Sequence, residues 1–266
     1  MKGYFKHKTI IVTGASSGIG KAMVEMLSTF DTNLVLCARN EALMNALVQD
    51  LKIPPEKYLI IKSDFAAQPN FQEITKQILS KFPRIDILIN NAGIAQKSMV
   101  QETEELVERR VMEVNYFATV NFTKAVLPHF IARKQGHLVT ISSILGEIGL
   151  PKVAPYCASK HALNGYYNSL RYDVEQYNIL VSIVSPGFIQ TAITKKSLTG
   201  SGGTHNEDSV TQEKGMDAKL CAKGILKNIA NETRQSYVGG LEVLMPKFAF
   251  FFPKIFHFLM KKMHKI

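Results

Sequence analysis

Short, almost wholly apolar runs rich in β-branched residues alternate along this chain with longer stretches in which apolar positions recur at helical spacing. The short runs cover residues 9–13, 33–38, 58–62, 85–90, 137–142, 179–185 and 235–238, and each reads as a strand covered on both faces. Helical patterns fill the intervals at about 18–29, 40–52, 69–81, 103–133, 154–177 and 216–231. Strand–helix alternation of this kind predicts an α/β fold: a doubly wound parallel sheet of about seven strands with helices on both faces. No domain boundary interrupts the pattern, so residues 1–266 read as one domain. The long irregular stretch at 194–215, rich in Gly, Ser and Thr, reads as a mobile loop over a ligand site.

Composition and charge narrow this picture. With 266 residues, 46% of them hydrophobic, the chain can bury one large core. Cys37, Cys157 and Cys221 lie far apart with no C-x-x-C, which favours reduced thiols and argues against a disulfide scaffold or a zinc site. The seven His form no H-E-x-x-H, so no metal site is expected. Few residues precede the first apolar run, so no cleaved secretory leader is expected and the location reads as cytoplasmic. A net charge of +10 raises nucleic acid as a partner. No basic motif interleaved with aromatics supports that, and an anionic cofactor on a basic surface accounts for the charge more simply.

The first candidate chemistry follows the first strand. The turn T-G-A-S-S-G-I-G at 13–20 sets Gly14, Gly18 and Gly20 between a strand and a helix. Glycines there permit a tight turn and close approach to a pyrophosphate, while the helix N-terminus supplies free N–H groups. At the end of the second strand, where a dinucleotide-binding unit reads the ribose, Ala38 carries no carboxylate and Arg39 follows it. A guanidinium suits a 2′-phosphate, which favours NADP(H) and leaves NAD(H) as the alternative.

Several separate motifs then stand in a familiar order. They are the glycine turn, Ser63-Asp64 ending the third strand, N-N-A-G at 90–93, and Asn115 in the following helix. After these come Ser142-Ser143 ending the fifth strand, Y-C-A-S-K at 156–160 and P-G-F-I-Q-T at 186–191. Over residues 8 to about 240 the chain resembles a short-chain dehydrogenase/reductase of the single-domain Rossmann type. The resemblance implies a cofactor cradle of Gly14, Ser16, Ser17, Gly18, Ile19 and Gly20. It implies that Asp64 meets the adenine amino group and the Phe65 backbone the ring edge. Asn91 and Gly93 would line the adenosine ribose, and the segment opened by Pro186 and Gly187 would hold the carboxamide through Ile189 and Thr191. NADP-preferring relatives often carry a basic residue where this chain has Ser17, so the cofactor preference rests on Arg39.

The spacing Y-x-x-x-K occurs three times, as Tyr4/Lys8, Tyr58/Lys62 and Tyr156/Lys160. Tyr58/Lys62 falls on an expected strand, where four residues span about 13 Å. Tyr4/Lys8 falls in a short leader where nothing is expected to position it. Tyr156/Lys160 falls on an expected helix, where i and i+4 are neighbours, thirteen residues after Ser143. A Lys160 ammonium beside the phenol, together with a positive nicotinamide in the oxidised complex, would stabilise the phenolate and lower its pKa, making Tyr156 a proton donor in reduction and an acceptor in oxidation. Ser143 would hydrogen-bond the substrate oxygen, and Lys160 the nicotinamide ribose. By resemblance, Asn115 would anchor a water linking Lys160 to solvent.

These readings point to an NADP(H)-dependent oxidoreductase interconverting a ketone or aldehyde and an alcohol, acting on CH–OH groups. The alternative is a non-catalytic nucleotide-sensing or scaffolding member of the same fold. Segments 94–99, 144–153 and 188–216 would shape the substrate pocket; Ile144, Leu145, Ile148, Leu150 and Phe188 in them favour a lipophilic ligand. Related enzymes pair through the helices holding Asn115 and Tyr156, so a homodimer or homotetramer is expected. The tail at 247–266 carries six of the fifteen Phe and five Lys with no acid. It is too short an apolar run to cross a bilayer, and three readings stand for it: peripheral contact with a membrane on the cytoplasmic side, a cover for the substrate pocket, or a subunit contact.

Overall fold

Side chains that are apolar on both faces of a strand need helices on both faces of the sheet. The computed structural model, which describes residues 1–206 and 214–264, meets that need with strands Thr9–Thr13 (β1), Asn33–Ala38 (β2), Tyr58–Lys62 (β3), Ile87–Asn90 (β4), Gly136–Ile141 (β5), Ile179–Pro186 (β6) and Gln235–Val238 (β7). They form one sheet in the order β3-β2-β1-β4-β5-β6-β7, and every neighbouring pair is parallel. Every residue of β1, β4 and β5 is buried, whereas the edge strands β3 and β7 are partly open.

Alternation along the strands splits the core into two layers. Ile10, Val12, Leu34 and Leu36 face helices Gly18–Leu27 (α2), Glu41–Asp50 (α3) and Ala218–Ala230 (α8). Ile11, Val35, Cys37 and Leu88 face helices Phe71–Lys81 (α4), Ala118–Arg133 (α6) and Ala154–Val174 (α7). Local chemistry sets the helix starts. Asn40, Asn70 and Asp217 each accept a backbone N–H of the first turn, so three expected boundaries move by one or two residues. All three cysteines are buried and free.

Two expectations change. The helix expected to run unbroken over 103–133 is a helix at Glu105–Met112 (α5), a wide π-type turn at Glu113–Phe117 and then α6, with a 3₁₀ turn at Val100–Glu102 just before them. The leader is also not featureless. Lys2–Phe5 forms a helical turn (α1) that buries Phe5 and fixes Tyr4.

In the stretch read as a loop at 194–215, residues 194–206 hydrogen-bond to the body: Leu198 donates to the Ala95 carbonyl and receives from Lys97 N–H. Residues 207–213 of that stretch, and 265–266 of the tail, lie outside the described residues. The tail forms two helices, Met245–Phe251 (α9) and Pro253–His264 (α10), with Pro253 at a first helical position, where its missing N–H costs nothing.

Candidate active site

Ligands of open α/β sheets bind beyond the strand C-termini, at the point where the strand order reverses. That point lies between β1 and β4, and the segments leaving β1, β4, β5 and β6 carry nearly every residue singled out above.

The glycine turn after β1 is built as a cradle. Gly14 (φ +66°) and Gly18 (φ +54°) have left-handed backbone, which a side chain would strain. A Cβ on Gly20 would collide with the Gly14 carbonyl oxygen, so the turn closes only with glycine there. Ser17 caps α2 through its backbone alone, and its side chain takes none of the helix's first N–H groups. Ser16 and Ile19 are half-buried and Ser17 is exposed, so the mouth of the turn is open to a ligand. Thr13, buried below, accepts the N–H groups of Asn91 and Ala92 at 2.9 Å each, and Asn91 donates back to the Thr13 carbonyl. The turn after β1 is thereby tied to the segment after β4.

Arg39 stands exposed just past β2, and among the described residues it makes no ion pair. Lys62 lies across from Ala38 in register and pairs loosely with Glu41, at 3.9 Å. Asp64 caps a short 3₁₀ turn by accepting the Ala66 N–H, leaving its side chain exposed. Phe65 is core, edge-on to Phe71 and Phe122, so only its backbone can face an adenine.

The π turn positions Asn115. Its extra residue per turn brings a fully buried amide against the segment after β4: Oδ1 accepts Ile94 N–H at 2.8 Å, while Nδ2 donates to the Ile94 carbonyl and to Ser159 Oγ, both at 2.9 Å. Ser159 in turn donates to the Tyr156 carbonyl. The Asn115 side chain is therefore a clamp between Ile94 and α7. Ser159 and Thr13 were missed in the sequence; their signal was adjacency to Lys160 and to Gly14. Gly93 fills the gap between Asn115 and Lys160: a Cβ there would stand 3.3 Å from Asn115 Oδ1 and 3.6 Å from Lys160 Nζ.

Lys160 is buried on α7 and donates from Nζ to the Ile141 carbonyl at 2.9 Å. Among the described residues no carboxylate pairs with it, and burial lowers its pKa to about 8. Tyr156 is one helical turn earlier, its ring centroid 5.7 Å from Lys160 Nζ. Lys160 alone does not lower the phenol: burial pushes it up to about 12, with the Ser143 hydroxyl pulling the other way. Lys160 is turned to a carbonyl, so desolvation dominates. Ser143 is buried at the end of β5, where it accepts the Leu145 N–H, while Ser142 donates to the Lys160 carbonyl. His161 bonds the Cys157 carbonyl, one turn back on its own helix.

Beyond Tyr156 the wall is apolar. Ile144, Leu145, Ile148 and Cys157 form a small cluster, against which Tyr156, Phe188 and the tail residues Met245, Ala249 and Phe256 pack. The segment at 186–191 is held from the far end of the chain. The Glu242 carboxylate accepts the Phe188 and Gly240 N–H groups and fills the space beside Gly187 and Gly239. Ile189 is buried, and Thr191 lies against Gly18. Among the described residues no group of His, Cys, Asp and Glu is arranged to hold a metal ion.

Residues 8–201 match the family model described as short chain dehydrogenase. The chain belongs to that family. It is an oxidoreductase with an NAD(P)-binding fold. Among its relatives, dehydrogenase/reductase SDR family member 7 of Homo sapiens is 38% identical over 232 residues, 85% of this chain and 68% of that protein. Member 7B of Bos taurus is 35% identical over 240 residues, 88% of this chain and 74% of that protein. A short-chain dehydrogenase structure from Streptomyces avermitilis superposes with a TM-score of 0.81 at 26% identity, covering 98% of each chain. A short-chain dehydrogenase/reductase from Burkholderia phymatum, in complex with NAD, shares the fold with a TM-score of 0.77 at 22% identity, over 88% of this chain and 89% of that one. In this short chain dehydrogenase, the glycine cradle, the helix mouth and the exposed Arg39 fit a dinucleotide.

Proposed function

We propose that this protein interconverts a lipophilic ketone or aldehyde and its alcohol, with NADP(H) as the preferred coenzyme. The observation that carries the reading is Lys160: a buried ammonium with no counter-ion among the described residues, one turn from Tyr156 and beside the strand ends that receive a dinucleotide. An unpaired buried cation is costly, and it is retained where chemistry uses it. The bound nicotinamide would supply or accept the hydride. Tyr156, protonated throughout the neutral range, hands its proton to the carbonyl oxygen in reduction. Ser143 Oγ hydrogen-bonds the same oxygen. Lys160 stabilises the phenolate left behind, and Asn115 holds Ile94 and α7 in register around them.

Arg39, with Lys62 one strand over, supports recognition of a 2′-phosphate. The apolar wall of Ile144, Ile148 and Phe188 supports a lipophilic substrate. Exposed Leu106, Phe117 and Tyr172, on or next to the helices that hold Asn115 and Tyr156, support pairing of subunits there. The test is coenzyme oxidation with a panel of lipophilic and water-soluble ketones. Faster turnover with NADPH than with NADH, on the apolar members, is expected. Inactivity on every carbonyl with either coenzyme would overturn the reading.

A further inference from the structure

The two tail helices have two apolar faces, and the active-site wall uses only one. Met245, Ala249 and Phe256 pack inward on the cluster that includes Tyr156. Outward, Phe250, Phe251 and Phe258 are 79%, 69% and 64% exposed, and Phe252, Ile255 and Leu259 continue the stripe at helical spacing. A single exposed Phe means nothing; six large apolar side chains along two consecutive helices and the residue joining them form a patch that asks for a partner.

We propose that this outer face lies in the headgroup region of an anionic lipid bilayer. Charge argues for that occupant. Residues 247–266 contain five Lys and no Asp or Glu, and Lys247, Lys254, Lys261 and Lys262 are exposed beside the aromatic stripe. Lysines among phosphate headgroups with aromatic and aliphatic side chains below them are what an interfacial helix presents. A second copy of this chain is the poorer occupant, because a two-fold contact would set this lysine-rich face against its own copy. Among the described residues no helix is long and apolar enough to cross a membrane, so the contact lies on the surface.

The docking face also borders a pocket. Ile148, Pro246, Ala249, Phe250 and Phe251, together with the charged Glu147 and Lys247, line a cavity of about 370 Å³. Phe250 and Phe251 thus belong to both the cavity and the outer face, and Ile148 and Ala249 belong to the cluster around Tyr156. An apolar substrate dissolved in the bilayer would meet the protein at this pocket. This last step rests on the reductase reading; the docking does not.

The full chain is to be sedimented with phosphatidylcholine vesicles with and without phosphatidylserine, in the absence of substrate and coenzyme. Failure would then be distinct from failure of the proposed activity. Binding is expected to require phosphatidylserine, to weaken with salt, and to fall by about tenfold or more in Lys254→Glu/Lys261→Glu/Lys262→Glu. The chain has no Trp, so Phe258→Trp supplies one probe, expected to shift to the blue and be quenched by brominated lipid when anionic vesicles are added. Equal binding by the charge-reversed variant, a Trp emission unmoved by vesicles, or a patch consumed by self-association in ultracentrifugation would each overturn the proposal.

Discussion

Tyr4/Lys8 and Tyr156/Lys160 share a spacing and a pair of residue types, and sit at opposite ends of the sheet. Lys8 precedes β1, and its Nζ lies 3.4 Å from the Tyr4 ring centroid; Lys160 Nζ lies 5.7 Å from the Tyr156 ring. Burial raises both phenols and lowers both ammonium groups. A displaced pKa therefore does not separate the structural pair from the proposed chemical one. Compensation does. Asp86 and Glu232 lie near enough to Lys8 to favour its charge, and the Tyr4 hydroxyl is spent on His137 Nδ1 at 2.8 Å. Ser182 gives its only proton to the Thr233 carbonyl, so it must accept His137 Nε2–H, leaving Nδ1 to accept from Tyr4. That ring is buried neutral, its pKa pushed down to about 3. The Tyr4 end is thus closed and satisfied, while Lys160 has a carbonyl and, among the described residues, no acid.

The comparison breaks most directly at the phenols. Tyr156→Phe is expected to lower kcat for ketone reduction by about 10²–10⁴-fold while NADPH binding, followed by fluorescence titration, is kept. Tyr4→Phe is expected to leave kcat unchanged. Comparable rates for the two variants would erase the distinction. The next effect is in pH. With Lys160 titrating at about 8, kcat/KM for reduction is expected to fall as pH rises through 8 and the ammonium is lost.

Stability should move the other way in that range. The folded lysine releases its proton before the unfolded one, whose pKa is the ordinary 10.5. Between those values the unfolded chain binds more protons, so Lys160 makes stability rise with pH. Urea unfolding at successive pH values should show that slope flatten in Lys160→Met. A smaller effect follows at Tyr4: Tyr4→Phe leaves His137 Nδ1 without its donor, at about 1–3 kcal/mol, a Tm loss of several degrees by calorimetry. Smallest is Lys8→Ala, about 0.5–1 kcal/mol from the lost cation–ring contact, read as a slight shift in urea midpoint.

The sheet was legible because burial on both faces leaves a continuous apolar run, and six of the seven expected strands lie within a residue of their observed bounds. β4 starts late: Ile85 N–H donates to His129 instead of a neighbouring strand, while Asp86 keeps backbone bonds to Thr9 and His137 and its side chain binds Arg84, Arg133 and the Thr9 N–H. The break at Glu113–Phe117 was invisible because nothing in its local pattern opposes a helix. Its cause is Asn115 reaching Ile94 and Ser159, which are local to it only in space. Tyr4 was misjudged for the same reason, its partner being 133 residues away. The cofactor turn, by contrast, is local chemistry, since glycines at positive φ between a strand and a helix declare themselves in eight consecutive residues.

Glu242 carries one further consequence. A single carboxylate bridges the backbone after β6 and the root of the tail, 54 residues apart, and Gly187, Gly239 and Gly240 make room for it. The segment after β6 that carries Ile189 and Thr191 and the C-terminal helices therefore share an anchor. A change in how the tail is held, by truncation, by a fused tag or by whatever it rests on, would be felt as altered coenzyme handling before it was felt as altered substrate choice.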